Sequence, residues 1–341
     1  MSAPELLHNA CAPHLRSADS VSSIMLTTIV ALLPAAAASV VFFGVRSVLL
    51  ILICTAAAML AEWCIASFLV KQPRAMRDGS AAVTGLMLAL TLPPRLPFWM
   101  AALGAVVAIA IVKWPFGGLG GNLVNPALAG RAFLMISFPA AMTAFIAPVA
   151  GTINGLAGGL DGIAAATPLA CLRQSVHAGA FEPLVFQDAF VNMFLGNTGG
   201  CLGETSALAL LAGAIILWYR QIIGIRIPFF FVLTVFILFW IFNGTGGILT
   251  SEAVIIPVYQ VLGGGLLLGA IFMANDPVTS PVTSWGKILF GAGCGALTFL
   301  FRKFGSHAEG VMYAILLMNL TVPLFDRWLR PGAFTRKKRH A

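Results

Sequence analysis

The sequence predicts an all-α, polytopic membrane protein of about ten transmembrane helices, in two inverted five-helix repeats with short or broken helices. Three observations predict it. Of the 341 residues only 9% are charged and 59% are hydrophobic, with mean hydropathy +0.95. A soluble domain carries roughly 25% charged residues, so this chain cannot solvate a folded surface of its size and the bilayer is its main solvent. Apolar runs near the length a spanning helix needs, about 20 residues, recur along the chain. Glycine-rich stretches also run into Asn and Pro in both halves, the pattern of helices broken near the middle of a membrane.

The elements follow in order. Residues 1–22 are polar, lack a cleavage pattern and read as a short cytoplasmic arm. Spans are predicted near 24–44, 47–70, 98–112 and 126–150, which with 23–150 as bounds make the first membrane repeat. Residues 80–92, "SAAVTGLMLALTL", are too short to cross unaided, and Pro93-Pro94 stops them; they read as a short or broken helix. Residues 151–202 form the longest stretch unlike a membrane span. The second repeat, 203–326, has predicted spans near 203–219, 227–243, 254–273, 286–301 and 309–325. A basic tail, 327–341, closes the chain.

Lys and Arg set the orientation. With a cytoplasmic start, Lys71, Arg74, Arg77, Lys113, Arg220, Arg226, Arg327, Arg330 and the tail fall inside. Arg46, Arg95, Arg173, Arg302 and Lys303 fall outside. Both termini are therefore predicted to be cytoplasmic, and residue 167 lies across the membrane. The net charge of +8 is explained by topology and phospholipid, so no nucleic-acid partner is implied.

Metal and haem chemistry find little support. The six cysteines, 11, 54, 64, 171, 201 and 294, form no CxxC pair, which argues against an iron–sulfur or zinc site within this chain. Cys54, Cys64 and Cys294 read as packing residues; Cys171 and Cys201 share the outer segment and are open to a disulfide. The five histidines are dispersed at polar edges. No catalytic residue is assigned.

"GGLGGNLVNPALAGRAFL" (117–134) and "GGGLLLGAIFMANDPVTSPVTSWGKILF" (263–290) look like partners in the two halves. Each places Asn and then Pro at a predicted helix start. Pro126 and Pro277 suit a first turn, and Asn125 and Asp276 can cap the exposed N–H groups. Such a terminus is an anion site; the plain alternative is that the caps serve only the helix. Among ionisable groups in or near spans, Glu62, Glu204, Glu252, Asp276, Lys287 and Arg131 are functional candidates by default. Glu62 near an interface would be ordinary, and Arg131 pairs with an acid or a phosphate.

"LDGIAAATPLACLRQS" (160–175) raises a separate question. A threonine hydroxyl is a poor nucleophile without an activating base or cation, and no His or Lys lies within a few residues of Thr167. The stretch reads better as an acceptor, with small neighbours giving access and Pro168 fixing a turn. Composition does not say what is added.

Here a resemblance helps. "DGIAAATPLA" resembles the flavin-attachment motif of the membrane D subunit of the Rnf complex and of its relative, the B subunit of the sodium-pumping NADH:quinone oxidoreductase. "DGSAAVTGLMLALTLPP" (78–94), "GGLGGNLVNPALAGRAFLMISFP" (117–139) and "NDPVTSPVTSWGKILFG" (275–291) resemble the same family in order. The resemblance implies that Thr167 is esterified to the phosphate of FMN, with Asp161, Gly162, Ala166 and Pro168 as the surrounding motif. Ala164-Ala165 stand where the family usually has Ser or Thr, then Gly. It also implies a noncovalent flavin, riboflavin, in the bundle, with Asn125 and Asp276 as walls. Further implications are an electron-carrying role between ferredoxin and NAD coupled to Na⁺ or H⁺ movement, and a bacterial inner-membrane location with Thr167 periplasmic. The implied partners are other Rnf subunits, including a second covalent-FMN subunit and iron–sulfur subunits, and a flavin-attaching transferase. The broken helices fit a rival class equally, a urea-channel-like transporter or channel without a redox role.

Overall fold

The computed structural model describes residues 20–69, 78–146, 148, 166–177, 190–242, 251–305 and 309–329. It is helical throughout, with no β-strand among the described residues. Helices Val21–Phe43, Val45–Phe68 and Ser284–Phe304 are long and apolar enough to cross a membrane, and Val254–Leu262 with Leu266–Met273 forms an apolar pair bent by 61°, the shape of a broken span or a re-entrant loop. The chain is a multi-pass membrane protein.

In chain order the helices are α1 (Val21–Phe43), α2 (Val45–Cys64), α3 (Ser80–Leu90), α4 (Phe98–Val107), α5 (Pro126–Ser137), α6 (Pro139–Met142) and α7 (Pro168–His177). There follow α8 (Ala207–Tyr219), α9 (Arg226–Phe242), α10 (Ser251–Leu262), α11 (Leu266–Leu268), α12 (Ser284–Phe304) and α13 (Val311–Trp328). Wider π turns extend α2 over Ile65–Leu69, α4 over Ala108–Lys113 and α11 over Gly269–Met273.

Two half-length helices, α3 and the α11 segment, occupy the middle of the bundle. Nearly every side chain of both is buried. Each starts after a left-handed glycine, Gly79 (φ 75°) and Gly265 (φ 65°); an L side chain there would be strained. Around them the long helices pack in matching pairs, α4 on α2 and α12 on α9. Small residues allow close approach, of α3 to α2 and of α12 to α9. A Cβ on Gly85 would meet Cys54 O of α2 at 2.7 Å, and one on Gly291 would meet Ile227 O of α9 at 2.7 Å.

A helix that ends inside a membrane leaves carbonyls without partners, and each must be satisfied by protein. The chain over 201–206 does this for α3: Leu202 N–H donates to Leu92 O at 3.0 Å and Gly203 N–H to Leu90 O at 2.6 Å. Asn125 does it for the α11 segment, donating through Nδ2 to Met273 O at 3.2 Å.

Several predicted spans are corrected. The span 126–150 is instead α5 and α6, parted at Phe138, because Pro139 cannot continue the helix. The span 254–273 is broken at Gly263–Gly265. The predicted short helix at 80–92 is present as α3.

Candidate functional site

Charged and amide side chains gather at three levels of the bundle. At the α3 start, Asp78 Oδ1 accepts from Ser80 N–H (3.0 Å) and Ser80 Oγ (2.7 Å). Lys113, in the π turn after α4, reaches the same point. Its ammonium is ion-paired with Glu62 of α2 and donates to Ser80 Oγ. Lys113 and Glu62 are 1% and 4% exposed. The sequence suggests an ordinary interfacial role for Glu62 and a topological one for Lys113; the bundle instead encloses both. Burying them is tolerable only because each is the other's counter-ion.

At mid-bundle, Asn125 caps α5: its Oδ1 accepts from Ala127 N–H (3.0 Å) and Leu128 N–H (3.4 Å). Asn319 of α13 donates to Thr279 O and accepts from Asn125 N–H at 3.1 Å. Of the two readings of this helix start, the cap is the one the hydrogen bonds display. Asn125 itself takes the first-turn donors, and Pro126 has none to give. Asp276 differs. Pro277 lies in a turn, and the following helix begins only at Ser284 with Thr283 as its cap. Asp276 accepts from Val278 N–H (3.4 Å) and Thr279 Oγ1 (3.2 Å) and so closes that turn. Asn125-Pro126 thus opens a helix, whereas Asp276-Pro277 lies in a turn. Both line one cavity of about 60 Å³, together with Lys113, Ser80 and Asn122. Asn122 Oδ1 is buried at that cavity without a hydrogen-bond partner among the described residues.

At the opposite end from Ser80, Arg131 of α5 binds both Glu204 (Nη1, 3.1 Å) and Glu309 (Nη2, 2.5 Å), and its Nη2 lies 3.4 Å from Cys201 Sγ. Cys201, Glu204 and Glu309 are spaced as a cation site would be. The cation among them is the Arg131 guanidinium. The expectation that Arg131 pairs with an acid holds; Glu309 as its second partner was missed, since a lone acid before a helix carries no pattern. Arg302, read from the sequence as a surface charge, is buried. It donates to Gln260 O, Gln260 Oε1, Gly263 O (3.0 Å) and Gly264 O (3.1 Å), the carbonyls freed where α10 breaks.

Thr167 sits at the start of α7. Its Oγ1 accepts from Ala170 N–H at 3.3 Å, as an N-cap does. The side chain is only 7% exposed, so the expected open access is corrected: the hydroxyl is turned inward onto the helix end. Ala166 is exposed and Pro168 opens the helix. Asp161 and Gly162 lie outside the described residues. Cys171 and Cys201 are both free thiols, one exposed and one buried, so no disulfide links them. Cys54 and Cys294 are buried as expected, whereas Cys64 is exposed.

Half-length helices meeting inside a polytopic bundle, with buried ion pairs at both ends, define a membrane protein of the broken-helix class. Residues 8–335 match the model of the NQR2, RnfD, RnfE family, and the chain belongs to that family. It is 42% identical over 328 residues to the D subunit of the proton-translocating ferredoxin:NAD(+) oxidoreductase complex of Clostridium ljungdahlii, covering 96% of this chain and 95% of that one. It is 40% identical to the D subunit of the Na(+)-translocating ferredoxin:NAD(+) oxidoreductase complex of Acetobacterium woodii, covering 96% of each. The D subunit of the ion-translocating oxidoreductase complex of Escherichia coli is 35% identical, over 96% of this chain and 98% of that one.

Proposed function

We propose that the chain is the electron-transferring membrane D subunit of an Rnf-type translocase, which passes electrons between ferredoxin and NAD and couples that flow to Na⁺ or H⁺ movement. The observation that carries this reading is similarity over nearly the whole length to relatives whose names state that activity. The chain is one part of the machine: iron–sulfur subunits and a second covalent-FMN subunit complete the electron route.

Thr167 is the proposed point of attachment for FMN, through a phosphoester formed by a flavin-attaching transferase. The site fits the group. A phosphodiester keeps one negative charge, and esterified Thr167 would hold it at the positive end of α7, a ten-residue helix. The transfer balances if Thr167 Oγ attacks the phosphoanhydride of FAD: the new O–P bond forms as AMP leaves, and the hydroxyl proton passes to a base on the transferase. Because Oγ1 caps α7, the bond to Ala170 N–H must open first. The isoalloxazine supplies the redox chemistry; this chain positions it. A noncovalent riboflavin is proposed for the region of Asn122, Asn125, Lys113 and Asp276, where the cavity of about 60 Å³ would have to widen and the unpartnered Asn122 Oδ1 would offer a hydrogen-bond acceptor.

The proposed topology keeps both termini cytoplasmic and Thr167 periplasmic. Support comes from the cations that break the charge bias. Arg46 holds Pro94 O (2.9 Å), Arg173 holds Gly305 O (2.8 Å), Lys303 holds Phe242 O (2.8 Å), and Arg302 holds the α10 break. These side chains cap carbonyls, so their side of the membrane is set by structure. The ten-helix reading in two inverted repeats finds support in the pairs α1/α8, α2/α9, α3/α11, α4/α12 and α5/α13, with matching glycine starts at α3 and α11.

The test is the mass of the peptide spanning residue 167, with in-gel flavin fluorescence after SDS denaturation. Wild type and Thr167→Ser carry the FMN mass, and Thr167→Ala is dark while still inserting. A bare Thr167 in native material overturns the attachment; purification without other redox subunits overturns the assignment.

A further inference from the structure

A second concavity adjoins the charged cavity, with Ile223 lining both. It is a groove of about 750 Å³ between α8, α9 and α10. Its walls include Leu211, Ile215, Phe229, Val232, Phe236 and Val258. Leu267 and Ile271 of the central half-helix form the floor and are only 8% and 4% exposed. The groove thus reaches the buried middle of the protein. It exists because α8 is held by α1, whereas α9 is held by α10 and α12.

One end of the groove is basic. Trp218 and Ile225 line it there, and Arg220 and Arg226 flank the same connection, both exposed. Arg226 Nη1 donates to Ser284 Oγ at 2.8 Å, which brings the first turns of α9 and α12 together. Neither first turn contains an acid. Asp326 lies near this end and accepts from Val282 N–H at 3.0 Å.

We infer that this groove binds one anionic phospholipid, its phosphate held by Arg220 and Arg226 and its acyl chains laid along the groove to Leu267 and Ile271. A phosphate matches the charge at the mouth. The walls suit acyl chains better than a partner's helix. Helix pairs in membranes meet through small residues, and Ala214 is the one small aliphatic side chain in the described lining. From Ile225 to Phe236 the lined stretch of α9 is about 16 Å long at the helical rise. That is one leaflet of a hydrocarbon core about 30 Å thick, whereas a helix would use both.

The test uses the whole complex in lipid nanodiscs with phosphatidylglycerol or phosphatidylcholine, each carrying a photoreactive acyl chain. A basic side chain near the surface contributes about fivefold, so phosphatidylglycerol should label peptides within 207–236 about 25-fold more strongly. Arg220→Gln with Arg226→Gln should bring labelling to the phosphatidylcholine level, and Val232→Trp should block it with both arginines intact. Equal labelling of wild type by the two lipids would mean ordinary solvating lipid and would overturn the site. So would cross-links in native membranes from another subunit's helix to Ile215 or Phe229. If a variant fails to fold, the headgroup comparison on wild type decides.

Discussion

Lys113→Met tests whether the charged network at the α3 start is a balanced pair. Lys113 and Glu62 are almost wholly buried, and Ser80 Oγ is the third member. Removing one partner of a buried pair typically costs about 3–5 kcal/mol, because the other charge is left alone. At about 1.4 kcal/mol per tenfold, that lowers the folded-to-unfolded ratio by roughly two to three and a half orders of magnitude. Glu62→Gln alone should cost about as much, leaving an ammonium in the same place. The double variant Glu62→Gln/Lys113→Met removes both charges at similar volume and should lie within about 1 kcal/mol of wild type. The assay is equilibrium unfolding of the purified protein in mixed micelles of rising SDS fraction, followed by tryptophan fluorescence and closed as a double-mutant cycle. Two single losses that simply add in the double variant would refute the pairing. So would a near-neutral Lys113→Met.

The other predictions rest on the same backbone and charge arguments. Gly203→Val places a Cβ 2.7 Å from Leu90 Cβ and breaks the bond that ends α3; an unpaired buried carbonyl costs about 1–3 kcal/mol, with overpacking adding about as much, read as a lower melting temperature in detergent. Arg131→Leu leaves Glu204 and Glu309 facing each other, an expected loss of about 3–5 kcal/mol that Glu204→Gln should partly restore in the same melt. Cys171, exposed and free, should react in intact cells with a membrane-impermeant maleimide admitted to the periplasm, whereas buried Cys201 should react only after SDS. Labelling of Cys171 only from the cytoplasmic face would reverse the proposed topology. Thr167→Ala also removes an N-cap, typically worth about 1 kcal/mol, so proteolysis of the α7 segment should quicken in that variant and not in Thr167→Ser.

Much of the fold was legible from residues alone. Low charge and long apolar runs required a bilayer, Pro93-Pro94 required α3 to stop short, and the basic residues implied an orientation. These are local properties, since a helix must satisfy its own backbone and a proline cannot donate. The Asn125 cap was legible for the same reason. What tertiary structure decided was which distant groups meet. Glu62 and Lys113 are far apart in the chain, as are Arg131, Glu204 and Glu309, and no spacing rule joins them. Asn125 and Asp276 were matched as equivalents by pattern; folding brought them to the lining of one cavity. Arg302 looked like a surface charge until the broken end of α10 supplied carbonyls for it. The physical reason is common to all of these. Composition dictates the solvent and the local backbone, but in a low-dielectric interior a charge is tolerated only beside its partner, and only the packed bundle brings the partner there.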